Sequence, residues 1–185
     1  MLTRLPPPCS IKNAPRLILL GAVEVGGRNI NISLIARRSR HFAGTRYLKR
    51  GVSDCGKVAN DVEHEQIIHD ESPTKNSMGV FSSYLQVRGS IPTFWTQESS
   101  LTMPKPPIVL NRVDPTYKAT QLHFSDLLQR YGSPIVVLDL VKQSEKRQRE
   151  VIVGNEVSQA IDSNIPLFFF SSFFLFLVYV KLACF

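Results

Sequence analysis

Cysteine is scarce in this chain. Cys9, Cys55 and Cys184 are an odd number with no close pair. That excludes a disulfide framework and fits a reducing compartment. No cysteine–histidine spacing suits zinc, and His41, His64, His69 and His123 share no ligand spacing. Neither a metal nor a cofactor is therefore expected. A convincing signal peptide is also lacking. Arg4 is followed by Pro6-Pro7-Pro8, and the apolar run Leu17–Leu20 is short and entered through Pro15-Arg16. Residues 1–28 read as a loose N-terminal segment. Long hydrophobic runs are missing until the C-terminal tail. No nucleic-acid motif is present, so no nucleic-acid partner is expected.

What is present is positive charge. The formal net charge is +7, against a hydrophobic content of 43% and a charged content of 20%. The composition suits a globular domain with an acidic partner. The charge concentrates in Ala36–Gln66. Arg37, Arg38, Arg40, Arg46, Lys49 and Arg50 come with no acidic residue among them, and Asp61, Glu63 and Glu65 then follow at alternate positions. Ser53-Asp54-Cys55-Gly56 between them has turn chemistry. The stretch predicts a β-hairpin in which the acidic strand pairs with Lys49 and Arg50. Arginine holds phosphate in bidentate fashion, so Arg46, Lys49 and Arg50 are candidate ligands for a phosphorylated headgroup.

Periodicity predicts further elements. Ile30, Ile32, Leu34 and Ala36 alternate with Asn31 and Ser33, a strand pattern. Gly21–Gly27 lacks the Lys-Ser/Thr ending of a phosphate loop and reads as a turn. Asp70–Gly79 is a polar loop, and Tyr84–Ser90 is a strand ended by Ile91-Pro92. Leu101–Pro107 is a proline-rich connection into a short strand, Ile108–Leu110. Asp114 and Pro115 suit the N-cap and first position of a helix with Tyr117, Gln121, Phe124, Leu128 and Tyr131 on one face, stopped at Gly132. Ile135–Val141 is a buried strand. A second helix spans Arg149–Asp162, with Val153, Val157, Ala160 and Ile161 inward. Phe94 and Trp95 read as core anchors. The class is α/β, a mixed sheet with flanking helices.

The wording of three blocks adds to this. Arg40–Tyr47, Lys49–Val52, Gly56–Asn60 and Glu63–Gln66 form the first, Gln86–Trp95 the second, and Asp114–Thr120 with His123-Phe124 and Arg130-Tyr131-Gly132 the third. In order and spacing the chain resembles the Sac-domain phosphoinositide phosphatases from about Asn29 to Asp162, nearest to those acting on phosphatidylinositol 3,5-bisphosphate. The resemblance implies a partial Sac domain over 29–162. It also implies phosphoinositide lipids or an anionic membrane surface as partners, a scaffold protein partner, and a place on the cytoplasmic face of endosomal or vacuolar membranes.

It further implies a cysteine nucleophile six residues before an arginine, in a loop that cradles phosphate. Here Pro15 stands six residues after Cys9, Asp61 stands six after Cys55, and Cys184 is next to last. Catalytic residues are therefore expected to be absent from this chain, which reads as inactive alone. The alternatives are a non-catalytic module for anionic lipid and a tail-anchored membrane protein. The tail, 163–185, carries no charge before Lys181 and holds seven of the 11 phenylalanines. It reads either as a C-terminal membrane anchor or as translated non-coding sequence at a splice boundary.

Overall fold

The computed structural model describes residues 15–44, 49–71, 79–97, 106–133, 135–142, 144, 150–164, 170–172 and 177–184. Arg46, most of the polar loop after Asp70 and most of the proline-rich connection before Ile108 lie outside them.

A first hairpin joins β1 (Pro15–Val25) to β2 (Arg28–Arg38). Gly26 and Gly27 connect them, both with positive φ, as a two-residue hairpin turn demands. Of the turn expected in Gly21–Gly27, only Gly26-Gly27 turns, and Gly21–Val25 belongs to β1. The looseness expected of 1–28 does not extend to residues 15–28, because β1 pairs with β2 along its length. Antiparallel β3 (Val62–Asp70) and β4 (Val80–Gly89) continue the sheet. A small second sheet pairs β5 (Trp95–Gln97) with β6 (Ile108–Leu110).

The helix α1 (Lys118–Tyr131) starts later than the sequence predicts. Asp114 caps a turn first: its Oδ2 accepts from the Ala119 N–H at 3.3 Å, and Tyr117 takes a left-handed conformation before the helix begins. Gly132 ends it as expected, its N–H donating to the Leu128 carbonyl at 2.7 Å. Of the expected face, Phe124, Leu128 and Tyr131 pack into the core, and the fully buried positions extend further round the helix. Ala119, Thr120, His123, Phe124 and Leu127 point inward, and Gln121 does not. Thr120 and His123 are accommodated because each bonds to backbone: the Thr120 hydroxyl to Pro92 O, and His123 Nδ1 to Gly56 O.

Strand β7 (Val136–Asp139) and helix α2 (Glu150–Asn164) follow. Val153, Val157, Ala160 and Ile161 are buried, as the periodicity predicts. Two further strands, β8 (Phe170–Ser172) and β9 (Leu177–Cys184), complete a seven-stranded sheet in the order β1-β2-β3-β4-β9-β7-β8. Part of the segment considered as an anchor is therefore sheet, since β9 pairs with both β4 and β7. Among the described residues no helix is long and apolar enough to cross a membrane.

The fold is α/β, a mixed sheet with helices against one face. Val87 of β4 meets Ile91, Trp95, Phe124, Leu127, Val137, Val153 and Val157 in the main core. Trp95 is the anchor its position after proline suggests, with Nε1 donating to the Ile91 carbonyl at 3.2 Å. Phe94 instead packs beside a small cluster of Val52, Val58 and Ala119. At the other end β1 is an edge strand with Leu17, Ile18, Leu19 and Leu20 all exposed.

Candidate functional site

The hairpin expected across Ala36–Gln66 is built differently. The strand that pairs with β3 is β2, with Ile30 opposite Asp70 and Arg38 opposite Val62. The chain leaves the sheet after Arg38 and returns at Val62, so the basic stretch is a long excursion and not a strand. Apolar alternation explains this. Ile30, Ile32, Leu34 and Ala36 can line one face of a sheet, whereas consecutive arginines and lysines cannot. The Ser53–Gly56 turn does form, but it closes only a miniature hairpin. Val52 bridges Val58, the Ser53 N–H donates to Lys57 O at 2.9 Å, and the Gly56 N–H donates to Ser53 O at 2.9 Å.

This small hairpin is locked against its neighbours. Gly51 has φ +70°, and a Cβ there would lie 2.6 Å from the Thr93 carbonyl oxygen. The Gly51 N–H donates to the buried Ser90 hydroxyl at 2.8 Å, and the Val52 N–H donates to Thr93 O at 3.1 Å. Gly56 sits equally close to the backbone of His123. The Lys49–Val52, Gly56–Asn60 and Gln86–Trp95 blocks of the sequence are thus one packed unit with the start of α1.

The carboxylates do not pair with Lys49 and Arg50. Glu63 stands opposite Arg37 in the register, and the Arg37 guanidinium donates to both Glu63 and Glu65 at 2.8 Å. The Tyr131 hydroxyl at the end of α1 donates to the other oxygen of Glu63. Beside it, Asp126 receives Lys57 at 3.0 Å and Arg130 at 2.9 Å. Burial holds the Arg130 charge back, but Tyr131, Asp126, Asp61 and Glu63 together more than offset that and raise its pKa. Burial pushes the Asp61 carboxyl up to about 6, Arg130 opposing and Glu63 and Asp126 assisting. Burial likewise lowers His123 to about 4. This network stitches α1 to the sheet and neutralises its own charges. It contains no cysteine, and among the described residues no group of histidine, cysteine, aspartate and glutamate could hold a metal.

The candidate ligands go separate ways. Lys49 places its ammonium 4.5 Å from the centre of the Phe42 ring. Arg50 lies over Trp95 with its guanidinium 5.6 Å from the ring centre, and donates to Gln97 Oε1 at 3.4 Å. Arg46 falls outside the described residues. Cys55, exposed in the tip of the small hairpin, is not followed by any phosphate-binding arginine at the sixth position.

Residues 11–166 match the SacI homology domain. The chain belongs to that family. It is 54% identical over 139 residues to the phosphatidylinositol-3-phosphatase SAC1 of Arabidopsis thaliana, which covers 75% of this chain and 15% of that protein. It is 49% identical over 146 residues to a polyphosphoinositide phosphatase of Schizosaccharomyces pombe, covering 75% and 18%. Identity to the mouse phosphatidylinositide phosphatase SAC2 is 39% over 147 residues, covering 77% and 12%. The chain thus spans less than a fifth of the length of these relatives. The match to the SacI homology domain begins at residue 11, ahead of the start expected at Asn29, and so takes in β1.

Within this SacI homology domain, sequence reasoning missed the part played by Arg37, Lys57, Asp126 and Arg130. A signal existed for two of them, since Asp126 and Arg130 are four apart on a helix and on one side of it. Strand alternation by itself sends Arg37 and Arg38 to opposite faces, but nothing local indicated what each face would hold. Arg37 enters the network, while Arg38 turns to the other face and donates to Gly44 O at 2.7 Å and Asn60 Oδ1 at 3.1 Å.

Proposed function

We propose that the chain supplies the substrate-recognition part of a phosphoinositide phosphatase. The full-length protein would remove inositol-ring phosphates from phosphatidylinositol phosphates, as a phosphatidylinositol 3,5-bisphosphate 5-phosphatase acting through a phosphocysteine. The observation that carries the reading is high identity to proteins named as phosphoinositide phosphatases, over a segment in which neither Cys9 nor Cys55 has an arginine six residues on. Attack on phosphorus needs both groups, because the arginine lowers the thiolate pKa and holds the transferring oxygens. This segment therefore binds and positions, and the bond is broken elsewhere. Arg46, Lys49 and Arg50 meet the headgroup from the basic excursion. The work is done at the cytoplasmic face of endosomal or vacuolar membranes, with a scaffold protein as a further partner.

The test is phosphate release from vesicles containing phosphatidylinositol 3,5-bisphosphate. The 185-residue chain is compared with a variant in which Cys9, Cys55 and Cys184 are serine. No release above the variant is expected. Turnover that the cysteine-free variant lacks would show that the chemistry lies within the chain.

A further inference from the structure

The sheet is divided by charge, and the division identifies a second place for a phosphate. In a pleated sheet, residues directly opposite one another share a face, and faces alternate along each strand. Arg37 of β2, Glu63 of β3 and Val87 of β4 are in one row, on the face that meets α1. The next row belongs to the opposite face, and it holds Arg38, Val62 and Arg88. Two residues further along β3 on that same face come His64 and its neighbour Gln86. The carboxylates Glu63 and Glu65 are all on the helix side, with Arg37 between them.

Among the described residues Arg88 has no acid partner. Its side chain is partly buried and makes no hydrogen bond or ion pair to any described residue. Within β1 to β4 the sole carboxylate on this face is Asp70. It stands at the far end of β3, roughly 25 Å away at ~3.3 Å per residue, and is held by Arg28. Arg38 spends one nitrogen on Gly44 and Asn60 and keeps the rest of its donors. Asn60 also donates to the Lys49 carbonyl at 3.2 Å, which ties the basic excursion to this corner of the sheet. Burial and Arg88 both disfavour the charged form of His64, as an uncompensated cation beside it requires.

We propose that Arg38 and Arg88, flanking Val62 on the face of the sheet turned away from α1, bind a phosphate of a membrane phosphoinositide headgroup, with His64 and Gln86 bonding to ring hydroxyls. The two arginines are two strands apart, roughly 10 Å between their backbones, a span that long side chains close around one phosphate. The guanidinium fork then binds phosphate oxygens in pairs, which a lysine cannot do. The choice of a phosphate-bearing lipid rests on the function proposed above. The site itself rests on the sheet register and does not use Arg46, Lys49 or Arg50.

The experiment measures binding of the 185-residue chain to phosphatidylcholine vesicles containing phosphatidylinositol 3,5-bisphosphate, and to vesicles carrying equal charge as phosphatidylserine. Arg88→Gln is expected to weaken phosphoinositide binding about tenfold, as loss of a charge-assisted bond does. Arg88→Lys should recover only part of it. Arg112→Gln, at an exposed arginine that meets Asp54 and Phe94, should leave binding unchanged. Arg88 makes no bond to described residues that its loss would break, and far-UV circular dichroism of each variant checks the fold. Equal binding to phosphatidylserine, or unchanged binding of both Arg88 variants, overturns the proposal. If Lys49→Ala with Arg50→Ala abolishes binding while Arg88→Gln does not, the site on the sheet fails and the basic-excursion reading survives. The reverse result sustains the sheet and removes the excursion.

Discussion

Replacing Asp61 by asparagine tests the electrostatics of the network between α1 and the sheet. Two partly opposed titrations are built into this corner. The Asp61 carboxyl is raised from 3.8 to about 6 by burial, and His123 is lowered from 6.5 to about 4, also by burial. In the unfolded chain Asp61 gives up its proton near pH 4, while the folded chain keeps it until about pH 6. The folded state therefore binds more protons in that window, and Asp61 costs stability as pH rises through it. His123 has the opposite sign. The unfolded chain takes a proton near pH 6.5, the buried imidazole does not, and stability falls as pH drops from 6.5 toward 4. At about 1.4 kcal/mol per pKa unit each effect is worth roughly 3 kcal/mol, and the solvent Asp61 still meets reduces its share to about 2. In the wild type the two nearly cancel between pH 4 and 6. Asp61→Asn removes one. It should raise stability by about 2 kcal/mol at pH 7 and expose a loss of about 3 kcal/mol on acidification from pH 6.5 to 4. Urea unfolding followed by circular dichroism at half-unit steps of pH gives both numbers. A variant less stable than the parent at pH 7 would refute the reasoning, because Arg130 would then stabilise the Asp61 charge by more than burial costs it.

Two further outcomes follow from the same geometry. Gly51→Ala forces a side chain into a left-handed conformation and against the Thr93 carbonyl, so it should lower stability by at least about 2 kcal/mol, read as a shifted urea midpoint. Arg37→Ala leaves Glu63 and Glu65 facing each other without a cation and should cost about 1–2 kcal/mol. Half of that loss should return in 1 M sodium chloride, and a salt-independent loss would point to packing instead.

Local physics made much of this fold legible. The strand Ile108–Leu110 and the inward residues of α2 follow from short-range patterns, apolar periods of two and of 3.6. Gly132 ends α1 where its sequence predicts, because a helix stop depends on a residue that tolerates positive φ. The family also was legible, since its blocks are runs of adjacent residues. What misled was the basic stretch. Charge density pointed to a rigid strand facing the acidic one, yet pairing energy comes from apolar faces and backbone ladders, and β2 offered β3 a better partner. The burial of His123 likewise had no local signal, because the carbonyl that satisfies it belongs to Gly56, far away in the chain.

By itself, then, the amino-acid sequence determined the elements, the buried stripes of the second helix, the excess of positive charge and the membership of the SacI homology domain family. Tertiary structure alone decided what each cation does. Arg37 and Arg38 are neighbours along the chain and equal in composition. The alternation of the pleat and the register with β3 send one into a web of carboxylates and the other, with Arg88, to a face whose one carboxylate in β1 to β4, Asp70, lies at the far end of β3. That register is settled by contacts between residues more than 20 positions apart, which no local pattern encodes.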